Sequence, residues 1–511
     1  MASDIAKPQL EVESKTPVSG GPSLPSIRKS HDSVENGEIY HSTDDHRLEQ
    51  IGYKQEFHRE FTRLSTLSYA VSIMGVLGSV PGTWSSPLAA GGPATAVWCW
   101  FSGSIFSLCI ALSVAELVSA YPTSGGMYFV TKNVFPERYV PLAAWVIGWS
   151  NFLGQTAGVA SVDYTVAQMV KPVILAAVSM GSVGEDGIPT YVPYLGEYNC
   201  GVNLIASVAI SIAILVLTPN KLPASKVFGT ITDGSGWNNK GLSFLIGYLS
   251  VAWTMTDYDA TAHMSEELKN AAMSGPVAIF QAVLFTWVFG FLLNIALGFC
   301  AGNVADILAS PMGNPAAQVF FNAAGRSGGL AMWIWPIIVQ FFTGITAMLS
   351  DTRTAYALAR DGALPLSGVF RQVNGTTHTP LYSVWIVVFF CCCLNLIALG
   401  STETIDGIFD VTSPAMDLSY ITVIAARQFF KHESPIAKGP FDLGKWRKPI
   451  NYIAIVWTIF VSIFLFFPPS YPVTPENMNY AIVIAGFIAL LSFTWWYAEA
   501  RKSYIGPRTQ S

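Results

Sequence analysis

Apolar runs of roughly twenty residues recur along the chain, each long enough to cross a hydrocarbon core about 30 Å thick as a helix. They lie at about 66–88, 94–120, 139–170, 202–218, 243–263, 277–300, 330–350, 381–399, 405–426, 450–468 and 479–498, eleven segments in all. The pattern predicts an all-α polytopic membrane protein whose transmembrane domain fills residues 61–500. Residues 1–60 are dominated by Ser, Pro, Glu, Asp, Lys and His, without the apolar core of a signal peptide, and read as a disordered cytosolic tail. Residues 501–511 read as a short cytosolic tail at the other end.

Cations orient the segments. Lys132 and Arg138 follow the second, Lys269 the fifth, Arg353, Arg360 and Arg371 the seventh. Six Lys and Arg between Arg427 and Lys448 follow the ninth, and Arg501, Lys502 and Arg508 the last. The alternate connections, 180–199, 301–328, 400–406 and 467–478, hold only Arg326. The positive-inside rule then places both termini in the cytosol, which requires an even number of crossings. Eleven is odd. The break in parity falls between the fourth and fifth segments, where 219–242 is too polar to span, so a helix is expected to be missing between about 218 and 242.

Composition agrees with a membrane protein: 51% hydrophobic, 12% charged, mean hydropathy +0.42. The net charge of -5 matters less than where the cations stand. Seven cysteines, three of them at Cys391 to Cys393 inside an apolar run, show neither metal-ligand nor disulfide spacing and read as packing residues. The sequon Asn374-Gly375-Thr376 falls in a connection assigned to the cytosol and is expected to be unmodified.

The fifth segment, SFLIGYLSVAWTMTDYDATAH, buries Asp257 and Asp259 in its second half. A charge at the bilayer centre costs about 2.5–3.5 kcal/mol on insertion scales, so such residues usually line a polar path. The first segment carries Gly75, Gly78, Pro81 and Gly82, a density that weakens a helix and frees backbone groups at membrane depth. Paired interrupted helices heading two repeats point to a transporter's binding site. Asp417, in VTSPAMDLSY, is a third intramembrane carboxylate, either in the site or bonded between helices.

The stretches AELVSAYPTSGGMYFV (115–130), SEELKNAAMSGPVAI (265–279) and SDTRTAYALARDGALPLSGVF (350–370), in that order, resemble the amino acid–polyamine–organocation superfamily. Within it the chain is similar to the fungal amino acid/choline transporter branch of GABA, choline and polyamine permeases, over roughly residues 50–500. The resemblance implies the leucine-transporter-like five-plus-five inverted-repeat fold with two additional C-terminal helices, a rocking mechanism, and a site between the first and sixth helices. The family's fifth helix is the one this chain would lack. By position, Gly75, Val76, Leu77 and Gly78 would form one unwound stretch, and Trp253, Thr254, Thr256 and Asp257 the other, with Asp257 and Asp417 toward an ammonium. Glu116 and Asp259 are candidates for proton coupling, weighed against an ion pair for Glu116 and a helix cap for Asp259. His263, as a histidine, is of the residue type that can switch charge near neutral pH, but it reads more readily as a hydrogen-bonded interface residue. Arg353, Arg360 and Asp361 read as gate or loop ion pairs.

No nucleophile triad, phosphate-cradling loop or metal cluster is visible, and Gly325-Arg326-Ser327-Gly328 lacks the context of a nucleotide site. An enzyme is therefore not expected, nor a cofactor, a metal or a nucleic-acid partner. The expectation is a secondary active importer of a small amine-bearing solute (amino acid, GABA, choline or polyamine) across a fungal plasma membrane, with protons as the coupling ion implied by the family. The alternative is a sensor that keeps the ligand site without transporting, motivated by the missing helix.

Overall fold

The computed structural model describes residues 59–507 except 181–198, 376–378, 398–401, 431–437 and 476, together with Asp44, His46, Leu48, Glu49, Tyr53 and Phe57 ahead of that span. Among the described residues the architecture is helical, and seven helices are long and apolar enough to cross a membrane. Helix α1 (Arg63–Met74) and α2 (Val76–Thr83) are one crossing broken at Gly75, which adopts φ 46°. There follow α3 (Pro93–Ala120), α4 (Val140–Met180) and α5 (Asn199–Leu217). A second broken crossing comprises α6 (Tyr248–Thr254) and α7 (Ala260–His263). Then come α8 (Ala271–Cys300), α9 (Pro315–Asp361, kinked at Gly325), α10 (Leu381–Ile397) and α11 (Thr402–Phe429). Two more, α12 (Arg447–Leu465) and α13 (Ala481–Trp495), close the chain.

Directions follow from paired contacts. Let the first face be the one at which α1 begins. Along α1 and α2, Tyr69 meets Thr346, Ser72 meets Thr343, Ser79 meets Gln340 and Pro81 meets Asn314, so α9 runs back toward the first face. Helix α4 pairs Gln155 with Thr354, Thr156 with Asp351 and Met169 with Trp333, so it too is antiparallel to α9. Helix α5 offers Asn203 to Leu77, and its far end lies beside Cys300, where Leu222 N–H reaches the Phe299 carbonyl at 2.8 Å. Since Phe61, ahead of α1, exchanges backbone bonds with Glu267 and Lys269, ahead of α8, while Met74 of α1 meets Thr286 midway along α8, α8 also runs from the first face to the second. Helices α4 and α5, adjacent in the chain, therefore run in the same direction.

This moves the missing helix. Helix α5 packs on α1, α2, α8 and α9, and α11 packs on the inverted counterparts α6, α3 and α4. Both are fifth helices of their repeats. Helix α10, the fourth of the second repeat, packs on α4 and α9, and its partner by symmetry would stand between α4 and α5. The expected gap at 218–242 is thus corrected: that segment connects two ends on the same face. It is held there by Thr232 N–H to the Gly91 carbonyl (3.0 Å), Gly234 N–H to that of Ala90 (2.9 Å) and Tyr471 N–H to that of Ser235 (2.8 Å). Among the described residues no helix stands between α4 and α5, and 181–198 lie outside them.

The N-terminal expectation is corrected as well. Leu48, Tyr53 and Phe57 are buried, and Asp44 accepts the Asn270 N–H at 2.6 Å, so these described residues ahead of α1 dock on the domain. Residues before Asp44, the Thr376 end of the sequon, the middle of the basic run at 427–448 and the last residues lie outside the described ones.

Single cysteines introduced at Thr230 and Gly302 are expected to react with a membrane-impermeant thiol reagent from the same side, and one at Arg371 from the other. Labelling of Thr230→Cys together with Arg371→Cys would restore a crossing at 218–242.

Candidate functional site

The two breaks meet at the middle of the bundle. A helix that stops at membrane depth strands backbone groups, and each needs a partner inside the protein. On the first broken crossing the interruption is one residue, Gly75, in the left-handed region where glycine costs little. Its carbonyl takes the N–H groups of Gly78 and Ser79, both at 2.8 Å. Val76, Leu77 and Gly78, expected to be unwound, already belong to α2. Leu77 N–H is held by Asn203 Oδ1 at 3.0 Å, and Gly78 lies against Gln340.

The second break is longer, from Met255 to Asp259, and Asp257 there takes φ 55°, unusual for a residue with a side chain. Trp253 and Thr254 end α6. Trp253 donates its indole N–H to Ser161 Oγ (2.9 Å), and Thr256 Oγ1 lies 3.2 Å from Met416 Sδ. Ile73, Ser79, Gln155, Trp253, Thr256 and Asp257 are among the residues around a cavity of about 30 Å³, the room of a single water molecule. Among the described residues, three buried polar atoms on its wall have no partner: Asp257 Oδ1, Thr254 Oγ1 and Gln155 Nε2. Buried polar groups are rarely left unpaired, so these three are available to a water or a ligand in the cavity. Gln155 escaped the sequence reading because one amide in a long apolar helix carries no pattern.

The other candidates stand elsewhere. Asp417 accepts Ser413 Oγ at 3.2 Å and the Tyr258 hydroxyl at 3.5 Å, and Tyr258 packs on Tyr420 with ring centroids 5.3 Å apart. It is not on the cavity wall described above. Asp259 makes no cap to α7 through its side chain. It accepts the Tyr420 hydroxyl (2.5 Å) and Asn151 Nδ2 (3.1 Å) and meets His263. Asp351, fully buried on α9, accepts Thr156 Oγ1 at 2.9 Å and was missed because its apolar run ends beside it. Glu116 is gripped by Arg427 at 2.7 Å and by Arg447 at 2.7 Å, and takes the Leu443 N–H, joining α3, α11 and α12.

The two sides of the cavity differ. Toward the first face, Arg353 pairs with Glu267 (2.6 Å) and Arg360 with Glu266 (3.3 Å). Above them Tyr53 covers the Arg360 guanidinium at 4.0 Å and Phe57 that of Arg353 at 5.1 Å, while Tyr53 donates to Asp361. Arg59 adds a bond to the Leu268 carbonyl (2.8 Å). Toward the second face a vestibule of about 410 Å³, lined in part by Thr83, Gln168, Leu249, Gly313, Phe409 and Asp410, ends at Phe409, whose ring centroid is 5.3 Å from that of Trp253. The arrangement is closed at the first face and separated from the vestibule by two aromatic rings.

Two broken helices crossing at an unsatisfied polar cavity, inside an inverted repeat, define a multi-pass membrane transporter rather than an enzyme. The amino acid permease family model matches residues 64–192 and 198–488, and the chain belongs to that family. It is 44% identical to an uncharacterised amino-acid permease of Schizosaccharomyces pombe, over 91% of this chain and 90% of that one. It is 36% identical to amino-acid permease 2 of Neurospora crassa (91% and 90%) and 30% identical to the GABA-specific permease of Saccharomyces cerevisiae (91% and 86%). The alignment with the Schizosaccharomyces protein runs over 490 residues yet takes in 91% of these 511, which leaves about two dozen aligned positions empty on this side. That is about the length of one bilayer crossing.

Removing the Glu116 carboxylate takes the ion-pair partner from buried Arg427, while Arg447 keeps Asp442 at 2.6 Å, and breaking a buried ion pair costs about 3–5 kcal/mol. Glu116→Ala is expected to lower the thermal midpoint of detergent-solubilised protein by several degrees in a fluorescence size-exclusion assay; an unchanged midpoint would show that the clamp does not hold the bundle.

Proposed function

We propose that the protein imports an amino acid across the plasma membrane of a fungal cell, driven by protons, with both termini in the cytosol. The observation that carries this reading is the unpartnered set on the cavity wall. Asp257 Oδ1 is an acceptor for an ammonium, and Gln155 Nε2 is a donor for a carboxylate, with Thr254 Oγ1 able to serve either. A zwitterion uses both ends. Choline has no N–H to donate and a polyamine has no carboxylate, so each would leave part of the set unsatisfied. The name of the Saccharomyces relative, GABA-specific permease, agrees with a solute of this kind. Trp253 and Phe409 form the lid that parts to admit it. The cavity is too small for any amino acid as it stands, so binding has to widen the gap between α6 and α4.

The orientation rests on charge. The first face carries Lys132, Arg138, Lys269, Arg371, Lys445, Lys448, Arg501 and Lys502, and the second Lys171, Lys221, Lys226, Lys240 and Arg326. The richer face is cytosolic by the positive-inside rule. The closed inner ion pairs and the outer vestibule then describe a transporter shut toward the cytosol. A second reading, a sensor that binds without transporting, is favoured by one observation: among the described residues nothing stands in the place of the fourth helix of the first repeat, whose counterpart α10 packs on α4 and α9.

Uptake of labelled GABA, arginine, choline and spermidine in permease-deficient yeast, with and without an uncoupler, tests the proposal. Uncoupler-sensitive accumulation of an amino acid is expected, and Asp257→Asn is expected to abolish it while surface biotinylation shows normal insertion. Transport of choline or spermidine alone, or undiminished uptake by Asp257→Asn, would contradict it. Amino acid binding by surface-expressed protein without uptake would support the sensor.

A further inference from the structure

Asp259 and His263 lie beside the cavity without lining it, and their geometry fixes how many protons they hold. His263 Nδ1 is 2.9 Å from the Ser124 carbonyl oxygen, which only accepts, so Nδ1 carries hydrogen. His263 Nε2 is 3.2 Å from Asp259 Oδ2. A neutral ring with hydrogen on Nδ1 would turn an Nε2 lone pair toward a carboxylate, and two acceptors in contact repel. The contact therefore contains one further proton, either on Nε2 as an imidazolium facing a carboxylate or on Oδ2 of a neutral carboxyl. The remaining Asp259 partners, the Tyr420 hydroxyl (2.5 Å) and Asn151 Nδ2 (3.1 Å), are donors and supply no alternative. Both residues are shielded, Asp259 at 0% and His263 at 2% exposure.

We infer that the Asp259–His263 pair is the proton-binding site through which solute movement is coupled to the proton gradient. The coupling rests on the proposed transport activity; the proton count does not. Binding one proton turns an anionic pair into a neutral one, and its release leaves the Nε2 lone pair against a carboxylate, so the two side chains have to part. They are tied to different neighbours. Asp259 is held by Asn151 of α4 and Tyr420 of α11, while His263 is held by Ser124 in the turn after α3. Parting therefore shifts α7 against the first-face closure, because Ser124 N–H and Oγ also bind Glu266, which pairs with Arg360 of α9. The other titratable groups near the pair are Asp257 on the same unwound stretch, Asp351 of α9 beside it, and Asp417 of α11, which reaches it through Tyr258 and Tyr420. Asp257, the proposed ammonium partner, stands two residues from Asp259, which places solute and proton on one short segment.

Two measurements on the full-length protein test this. In proteoliposomes loaded with labelled GABA or arginine, His263→Gln and Asp259→Asn are expected to lose accumulation driven by a pH gradient while solute exchange at equal pH persists. Accumulation that still follows the gradient in His263→Gln would overturn the inference, since a structural role alone would not separate the two readouts. Histidine ¹⁵N resonances of the wild-type protein, with His263→Gln to assign the signal, are expected to show hydrogen on Nδ1, in an imidazolium or in the Nδ1–H neutral form. A neutral ring with hydrogen on Nε2 would overturn the inference whether or not the protein transports. If the wild type exchanges no solute yet shows an imidazolium at His263, the transport proposal fails and the proton site stands.

Discussion

A backbone that stops being helical at the centre of a bilayer must find its hydrogen bonds inside the protein, because lipid offers none. This constraint organises the structure. The short break at Gly75 closes on itself through Gly78 and Ser79 and borrows Asn203 from α5. The longer break from Met255 to Asp259, together with Trp253 and His263 on the helix ends beside it, reaches three other elements: Ser161 and Asn151 of α4, Met416 and Tyr420 of α11, and Ser124 beyond α3. What stays unsatisfied on the cavity wall, Asp257 Oδ1 with Thr254 and Gln155, is the set we propose a solute uses.

The same segment leads to the closed face. Three residues after His263 comes Glu266, and then Glu267, the acidic halves of the pairs with Arg360 and Arg353. Aromatic residues ahead of α1 cover both guanidinium groups. An opening motion has to separate those pairs, lift Tyr53 and Phe57, and move α7, so the site and the closure are mechanically one unit. On the other face the Trp253 and Phe409 rings stand between the vestibule and the cavity.

Much of this was legible in the sequence. Segment lengths gave the crossings, and the positions of Gly75 and Asp257 gave both breaks, because glycine and a buried carboxylate are costly in a lipid-facing helix. Odd parity revealed a missing helix but put it in the wrong place. The segment 219–242 drew the gap because it is too polar to span, and hydropathy carries no information on direction. Only the pairing of α4 and α5 with α9 showed that the reversal fails upstream. Partners were harder still. Asp417 looked like Asp257 in sequence, yet Ser413 and Tyr258 take its oxygens, and Glu116 lies far in sequence from the two arginines that hold it. Gln155 and Asp351 were invisible for the same reason: a satisfied and an unsatisfied polar side chain read alike until the neighbouring helix is in place.

The central claim, that the Met255–Asp259 break holds the ammonium of an amino acid, is tested most directly by an electron cryo-microscopy structure with GABA bound. Density for the solute between α4 and the break is predicted, its ammonium against Asp257 Oδ1 and its carboxylate toward Gln155 Nε2. Density confined to the vestibule, with the cavity still no larger than a water molecule, would contradict the account.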